Sequence, residues 1–327
     1  MQKPVCVFIV GNGFSQGFGF PSSLELWDIC LSARHPVPQY FNQCLKKYPI
    51  SYFRNNNIRD IELLLSIWSA YIDNYQDLIP NFNNQNSGRG YYEAYLDNLC
   101  GHLLELGNKA SRDKRYHDFK KWLSGKMSQF EIRFITLNYD LVLEKMISEI
   151  GKNVVYLGSV VDASGVFIRK LHGSANWLKA NVPNMNMAND WKPHVIWKNG
   201  NSQEYVYSFN NYSSVPHIAF RSPPVIIPPL IQKNYKGIFA ELVRLAKADL
   251  KIAKFVFVVG YSLPAADIFI RELLKDYSQS IPARGTKFVY INSNQDHCAE
   301  AKKSIGGSNR LICINEAWNT VIFDTLI

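Results

Sequence analysis

Five short segments of this 327-residue chain place small or polar residues directly after apolar runs. The first is Gly11-Asn12-Gly13-Phe14-Ser15, after Val5 to Val10. Glycines there let a backbone approach a pyrophosphate, and the amides and helix that follow favour its charge. A tight turn without a ligand is the competing reading, because Gly17 falls one residue late for the dinucleotide-binding GxGxxG spacing. The second is Thr136-Leu137-Asn138-Tyr139-Asp140, in which Asn138 points an amide out of a strand end while Asp140 equally suits a helix cap. The third is Leu171-His172-Gly173-Ser174, where an imidazole could accept a proton from water or a ribose hydroxyl near neutral pH, or serve only structure. Gly260-Tyr261-Ser262-Leu263-Pro264, with Asp267 beyond it, and Asn292 complete the series.

These residues need a scaffold that brings strand ends together, and the apolar pattern supplies one. Strands are expected at Val5–Val10, Ile132–Thr136, Val154–Leu157, Phe167–Leu171, Val225–Ile227, Phe255–Val259, Lys287–Ile291 and Leu311–Ile314. Most are apolar throughout and alternate with amphipathic helices near Ser22–Ser32, from Asp140 to about Ile150, and at Lys236–Leu250, Ala265–Tyr277 and Asp296–Ser304. That pattern predicts an α/β fold, a doubly wound, mostly parallel sheet covered on both faces. Ser22 or Ser23 should cap the first helix, with Glu25 in its first turn. Residues 34–130 read as a helical insert with stripes at Ile61, Leu64, Leu65 and Trp68, and at Tyr95, Leu99, Leu103 and Leu106. Asn55–Asn57 and Asn81–Asn86 read as loops. Residues 175–222 read as an irregular insert with edge strands near His194–Trp197 and Glu204–Phe209. The whole of 1–327 is taken as one domain.

Composition removes several classes. The longest apolar runs fall far short of the ~20 residues that span a bilayer, and no cleavable leader is evident, so a cytoplasmic protein without membrane contact is expected. Six scattered cysteines form no CxxC pair, against both a disulfide framework and a cysteine zinc site. The net charge of +9 suits phosphate-bearing ligands. The basic run Arg112–Lys121 also carries Asp113 and Asp118, and reads as a solvated helix face rather than a nucleic-acid groove.

The motifs together resemble those of sirtuins. The first extends to Gly19-Phe20-Pro21, giving GxGxSxxxGxP. Thr136–Asp140 resembles TQNxD with Leu137 in place of glutamine, and His172-Gly173 resembles the catalytic His-Gly. Gly260–Leu263 resembles the GTSL loop, and Ile291-Asn292 the pair beside the adenosine ribose. The departures are as informative. Ala175–Ser222 contains no cysteine, so the zinc module of sirtuin deacylases is missing and no metal is expected. Ser22-Ser23 replaces their Asp-Phe-Arg loop, and no Phe-Gly-Glu loop follows Pro228-Pro229. With Trp177 completing LHGSxxW and GYSLPxxD following, the set is similar to the zinc-free bacterial branch, whose understood members are mostly NAD⁺ hydrolases of antiphage defence.

The resemblance implies an NAD⁺ glycohydrolase with NAD⁺ as substrate. Asn138 would position water and ribose hydroxyls, and His172 would accept the proton. Asp140 would orient the ribose or hold the Asn138 loop. Gly11, Asn12, Gly13, Phe14, Ser15, Thr136, Gly260, Ser262 and Asn292 would bind the cofactor. In this scheme Gly11, Gly13 and Ser15 hold the diphosphate, and Ser262 and Asn292 the adenosine half. The helical insert would close over the nicotinamide. No sensor or ATPase domain is recognisable, which implies activation by self-assembly into a homo-oligomer or by a separately encoded protein, a nucleoside triphosphatase or nucleic-acid-guided protein among the options. A protein deacylase or ADP-ribosyltransferase, and a non-catalytic module sensing NAD⁺ or ADP-ribose, remain as alternatives.

Overall fold

The computed structural model describes residues 3–30, 50–56, 63–64, 67, 88–158, 165–180, 193–198, 205–209, 224–226, 236–264, 267–280, 286–305, 311–318 and 320–327. Seven strands form the main sheet: β1 (Val5–Val10), β2 (Glu131–Thr136), β3 (Asn153–Val155), β4 (Gly165–Lys170), β9 (Ala253–Val259), β10 (Lys287–Ile291) and β11 (Leu311–Ile314). Their order is β11-β10-β9-β1-β2-β4-β3, and every pairing is parallel. This is the expected doubly wound sheet. All six residues of β1 are buried, because a strand covered on both faces has no solvent side.

Register shows how the two faces are covered. Phe8 lies opposite Phe134 and Phe257, so three rings cross three strands on one face. Phe119 and Trp122 of α5 (Lys114–Lys126) and Phe323 of α10 (Thr320–Leu326) pack onto Phe8. Val7, pointing the other way, is opposite Arg133. On that side Asp249 of α7 (Ile238–Ile252) receives Arg133, and Arg169 bonds it at 2.8 Å. Both guanidiniums lie over the Phe167 ring. This buried network ties the neighbouring strands β2 and β4 to α7.

Helices α1 (Asn12–Gln16), α2 (Ser23–Cys30) and α4 (Gly88–Ala110) supply residues to a cleft at the strand ends, and α6 (Val142–Glu149) follows β2. The chain also contains α3 (Ile50–Asn55), α8 (Ile268–Ser280) and α9 (Gln295–Ser304). Ser22 caps α2 as expected: its Oγ accepts the Glu25 amide at 3.3 Å while Glu25 accepts the Ser22 amide at 2.7 Å. The basic run lies on α5, with Asp113 as N-cap and Tyr116, Phe119 and Leu123 inward.

The structure departs from the sequence reading in three places. Gly173–Ala180 is an eight-residue strand, β5, not the start of an irregular segment. With β6 (Pro193–Lys198), β7 (Tyr205–Phe209) and β8 (Pro224–Ile226) it makes an antiparallel sheet ordered β6-β7-β5-β8. The expected strand at Val225 therefore belongs to this second sheet and not to the parallel one. The polar alternation of β5 had hidden it, yet Ser174 and Asn176 are buried and bond each other at 2.7 Å. Helix α10 was also not anticipated. Of the stripes in the helical insert, Leu64, Leu99 and Leu103 are buried. Ile61, Leu65, Trp68, Asn57, Asn81–Asn86, Pro228-Pro229 and Ala265 lie outside the described residues, as do most of 34–87 and 181–223.

Among the described residues Cys6, Cys100, Cys298 and Cys313 form no disulfide, and burial pushes the Cys6, Cys298 and Cys313 thiols upward. No helix among them is long and apolar enough to cross a membrane, and they contain no group of three potential metal ligands.

Candidate active site

Parallel register aligns the carboxyl ends of the central strands. Val10 lies opposite both Thr136 and Val259, Val259 opposite Ile291, and Thr136 opposite Lys170. Successive strands are added on one side of β1 up to β4 and on the other side from β9 onward, and the crevice outside the strand ends at such a switch in strand order is where open α/β sheets take ligands. A cleft of about 590 Å³ opens there, within the range of small-molecule sites. Asn138, Asp140 and His172 line it, as do Gly11, Asn12, Gly13, Gly260, Ser262 and Asn292. Three expected site residues stand behind its wall instead: Phe14, Ser15 and Thr136, each nearly inaccessible.

At one end, side chains hold one another. Asn138 Nδ2 donates to the Gly11 carbonyl and to Ser15 Oγ, each at 3.0 Å. Its own amide donates to Thr136 Oγ1 at 3.1 Å. With both Nδ2 protons committed, Oδ1 is the atom of Asn138 suited to accept from water or a hydroxyl. Ser15 Oγ donates to Asp140 Oδ2 at 2.8 Å, and the Val142 amide donates to Asp140 Oδ1 at 3.0 Å. Asp140 therefore caps the start of α6 and ties the β2 loop to α1. Ser15 reaches the site through Asn138 and Asp140.

Beneath this loop sits a buried charge. Lys170 Nζ donates to the Asp140 carbonyl at 2.5 Å and pairs with Glu144 Oε1 at 2.8 Å. Both partners are about 1% exposed. Burial pushes the Glu144 carboxyl upward against the pull of Lys170. His172 follows at the turn from β4 into β5, 4% exposed, with the Tyr139 ring 6.2 Å away. Its Nε2 lies 3.7 Å from Asp267 Oδ1, and Tyr261 donates its hydroxyl to Asp267 Oδ2 at 2.8 Å. Gly173 beside it has φ +86, and a Cβ there would sit 2.1 Å from the Val225 carbonyl oxygen. Glycine is thus required for β8 to close against the His172 turn.

At the other end the wall is backbone. Gly13 donates its amide to the Gly260 carbonyl at 2.8 Å and Gly11 to that of Val259 at 3.1 Å. Gly260 has φ +60, and a Cβ on it would lie 2.3 Å from the Phe14 nitrogen. The glycines let two turns touch, with the Gly11 and Gly13 amides directed at the neighbouring turn. Phe14 is packed under this contact, stacked on Trp318 at 4.8 Å, and the Trp318 indole donates to the Gly13 carbonyl at 3.3 Å. Asn292 Nδ2 donates to the Tyr261 carbonyl at 3.3 Å.

The family model that matches the chain is the SIR2-like domain, over residues 132–308. That is more than half of the sequence. The chain belongs to the SIR2-like family. Its match includes Asn138, Asp140, His172, Gly260, Ser262 and Asn292, while the Gly11–Ser15 turn and Trp318 lie outside the matched span. Among solved structures it is similar to a Sir2 homolog–NAD complex, at 13% identity over 99% of this chain and 88% of the other, TM-score 0.42. A Sir2 homologue mutant with 2′-O-acetyl ADP ribose gives 14% identity over 99% and 90%, TM-score 0.42. A further mutant, complexed with ADP ribose, gives 14% over 99% and 90%, TM-score 0.38. The family assignment rests on the domain match alone. No curated protein matches the sequence.

Within this SIR2-like chain several cleft residues carried no expected role. Glu316 and Trp318 follow β11 and extend the strand-end rule to a sixth strand, which the sequence could have shown. Leu26 of α2 and Leu99 and Leu103 of α4 supply an apolar wall, visible only as helical periodicity. Asp267 was noted in sequence, but its approach to His172 spans 95 positions and has no local signal.

Proposed function

We propose that this chain is an NAD⁺ glycohydrolase, cleaving the nicotinamide–ribose bond to give nicotinamide and ADP-ribose. The observation that carries the reading is the convergence of Asn138 and His172 on one cleft that the paired glycine turns also line. As nicotinamide leaves with the bonding electron pair, the ribosyl C1′ becomes oxocarbenium-like. Water adds its oxygen to that carbon, and the proton it sheds passes to the His172 imidazole. Asn138, through Oδ1, would hold the water or the neighbouring ribose hydroxyls. Asp140 would keep the Asn138 loop in place. Ser262 and Asn292 would meet the adenosine half, and the turn of Gly11, Asn12 and Gly13 would form the floor under the diphosphate. The described helices α2 and α4 contribute Leu26, Leu99 and Leu103 to the wall, and such apolar cover favours departure of a neutral ring. Absence of cysteine from Ala175–Ser222 supports water, rather than an acylated lysine, as acceptor.

The setting proposed with this activity is depletion of NAD⁺ in a bacterial cytoplasm during antiphage defence, triggered by self-assembly or by a separately encoded partner. The biochemical test is chromatography of NAD⁺ incubated with the purified chain, with and without an acetyl-lysine peptide. Equal amounts of nicotinamide and ADP-ribose, independent of peptide, are expected. Peptide-dependent nicotinamide release with deacetylation would instead make it a deacylase.

A further inference from the structure

We infer that Asp267 is a positioning residue for His172, forming with Tyr261 a three-member chain that stabilises the imidazolium as the proton arrives. This rests on the hydrolase reading above. The geometry is specific. Asp267 Oδ1 stands 3.7 Å from His172 Nε2, an ion-pair distance that is longer than a hydrogen bond. Both side chains are about 5% exposed, so their attraction is screened far less than at the surface. The second carboxylate oxygen is fixed by the Tyr261 hydroxyl at 2.8 Å. Tyr261 is itself held, since its carbonyl accepts from the Tyr290 hydroxyl and from Asn292. The Asp267 amide donates to the Pro264 carbonyl at 3.0 Å, closing the turn that carries the carboxylate.

The other titratable groups on the elements meeting His172 are Tyr139 and Asp140 after β2, Lys170 on β4, and Tyr261 after β9. Asp140 is engaged by Ser15 and Val142, and Lys170 by Glu144. Among the described residues Asp267 is the carboxylate within ion-pair reach of the imidazole. Its place in the reaction follows. When water bonds to C1′, its O–H bond breaks and the proton goes to one ring nitrogen. The positive charge that then spreads over the ring falls beside the Asp267 carboxylate. At this separation the carboxylate acts by charge, favouring the protonated ring as the buried aspartate of serine hydrolases stabilises its imidazolium.

The test uses the full chain with Asp267→Asn, Asp267→Glu and Tyr261→Phe, measuring kcat and KM for nicotinamide release. NAD⁺ binding is followed by calorimetry, and the His172 imidazole by ¹⁵N NMR at one pH near neutrality, with His172→Ala identifying its signals. Asp267→Asn should lower kcat about 10²-fold while KM and NAD⁺ affinity stay within about threefold. It should also reduce the imidazolium fraction of His172, with Asp267→Glu recovering part of both. Tyr261→Phe should shift both readouts the same way by about tenfold or less in rate, and it serves should Asp267→Asn not fold. Unchanged kcat with an unchanged His172 spectrum would overturn the assignment, as would a loss of NAD⁺ affinity that accounts for the lost rate. Should the wild-type chain leave NAD⁺ intact without its trigger, the imidazole comparison alone decides the pairing, and an imidazolium fraction unchanged by Asp267→Asn overturns it.

Discussion

At the His172 end of the cleft the wall is made of buried side chains that fix one another across long stretches of sequence. At the Gly260 end it is made of two turns whose backbones touch because no side chain stands between them. Lys170, Glu144, Asp140, Ser15 and Asn138 form one connected set in which each polar group answers another. Gly11, Gly13 and Gly260 instead supply an absence, a floor of bare backbone that a Cβ would disrupt. The first end holds its polar groups in fixed geometry in a low-dielectric setting, as the proposed proton transfer requires. The second brings bare backbone to the surface of the cleft.

Substitutions can break this contrast in graded steps. The largest effect is expected for Lys170→Met, which leaves Glu144 buried without its cation and should cost about 3–5 kcal/mol in urea unfolding. Adding Glu144→Leu to that variant should recover much of the loss, because an apolar pair can replace a buried ion pair. No recovery would mean that Lys170 acts mainly by holding the Asp140 carbonyl. Gly260→Ala should cost less, about 3 kcal/mol from left-handed backbone and local overpacking. NAD⁺ affinity should fall at least about tenfold as the two turns separate, a loss of about 1.4 kcal/mol in calorimetric titration. A stable Gly260→Ala protein with intact affinity would show that the contact of the two turns is incidental to binding.

The same contrast explains what was legible in the sequence. Fully apolar strands made the parallel sheet readable, and the rule that ligands sit at strand ends placed Asn138, His172, Gly260 and Asn292 on one edge. Glycine spacing marked the second end of the cleft because glycine types are visible without any partner. It did not show that the Gly11 and Gly13 amides turn toward Val259 and Gly260, since that depends on a loop about 250 residues away. The first end was only partly readable. Asp140 was visible as either a cap or a ligand, and its two oxygens turn out to be taken by Val142 and Ser15. Nothing in the sequence singles out Lys170, and Asp267 stands there only as a residue beyond the Gly260–Pro264 segment. Charges that pair across 26 or more positions leave no periodic trace. The polar strand β5 was missed for a related reason: its buried Ser174 and Asn176 are satisfied by each other and by Phe209, so polarity there does not signal exposure.

The most direct measurement follows NAD⁺ affinity and nicotinamide release on the same preparation of His172→Ala. The account expects affinity within about threefold of wild type, because the glycine end is untouched, and release lowered at least about 10²-fold. Nicotinamide release at the wild-type rate from a folded His172→Ala protein would contradict it.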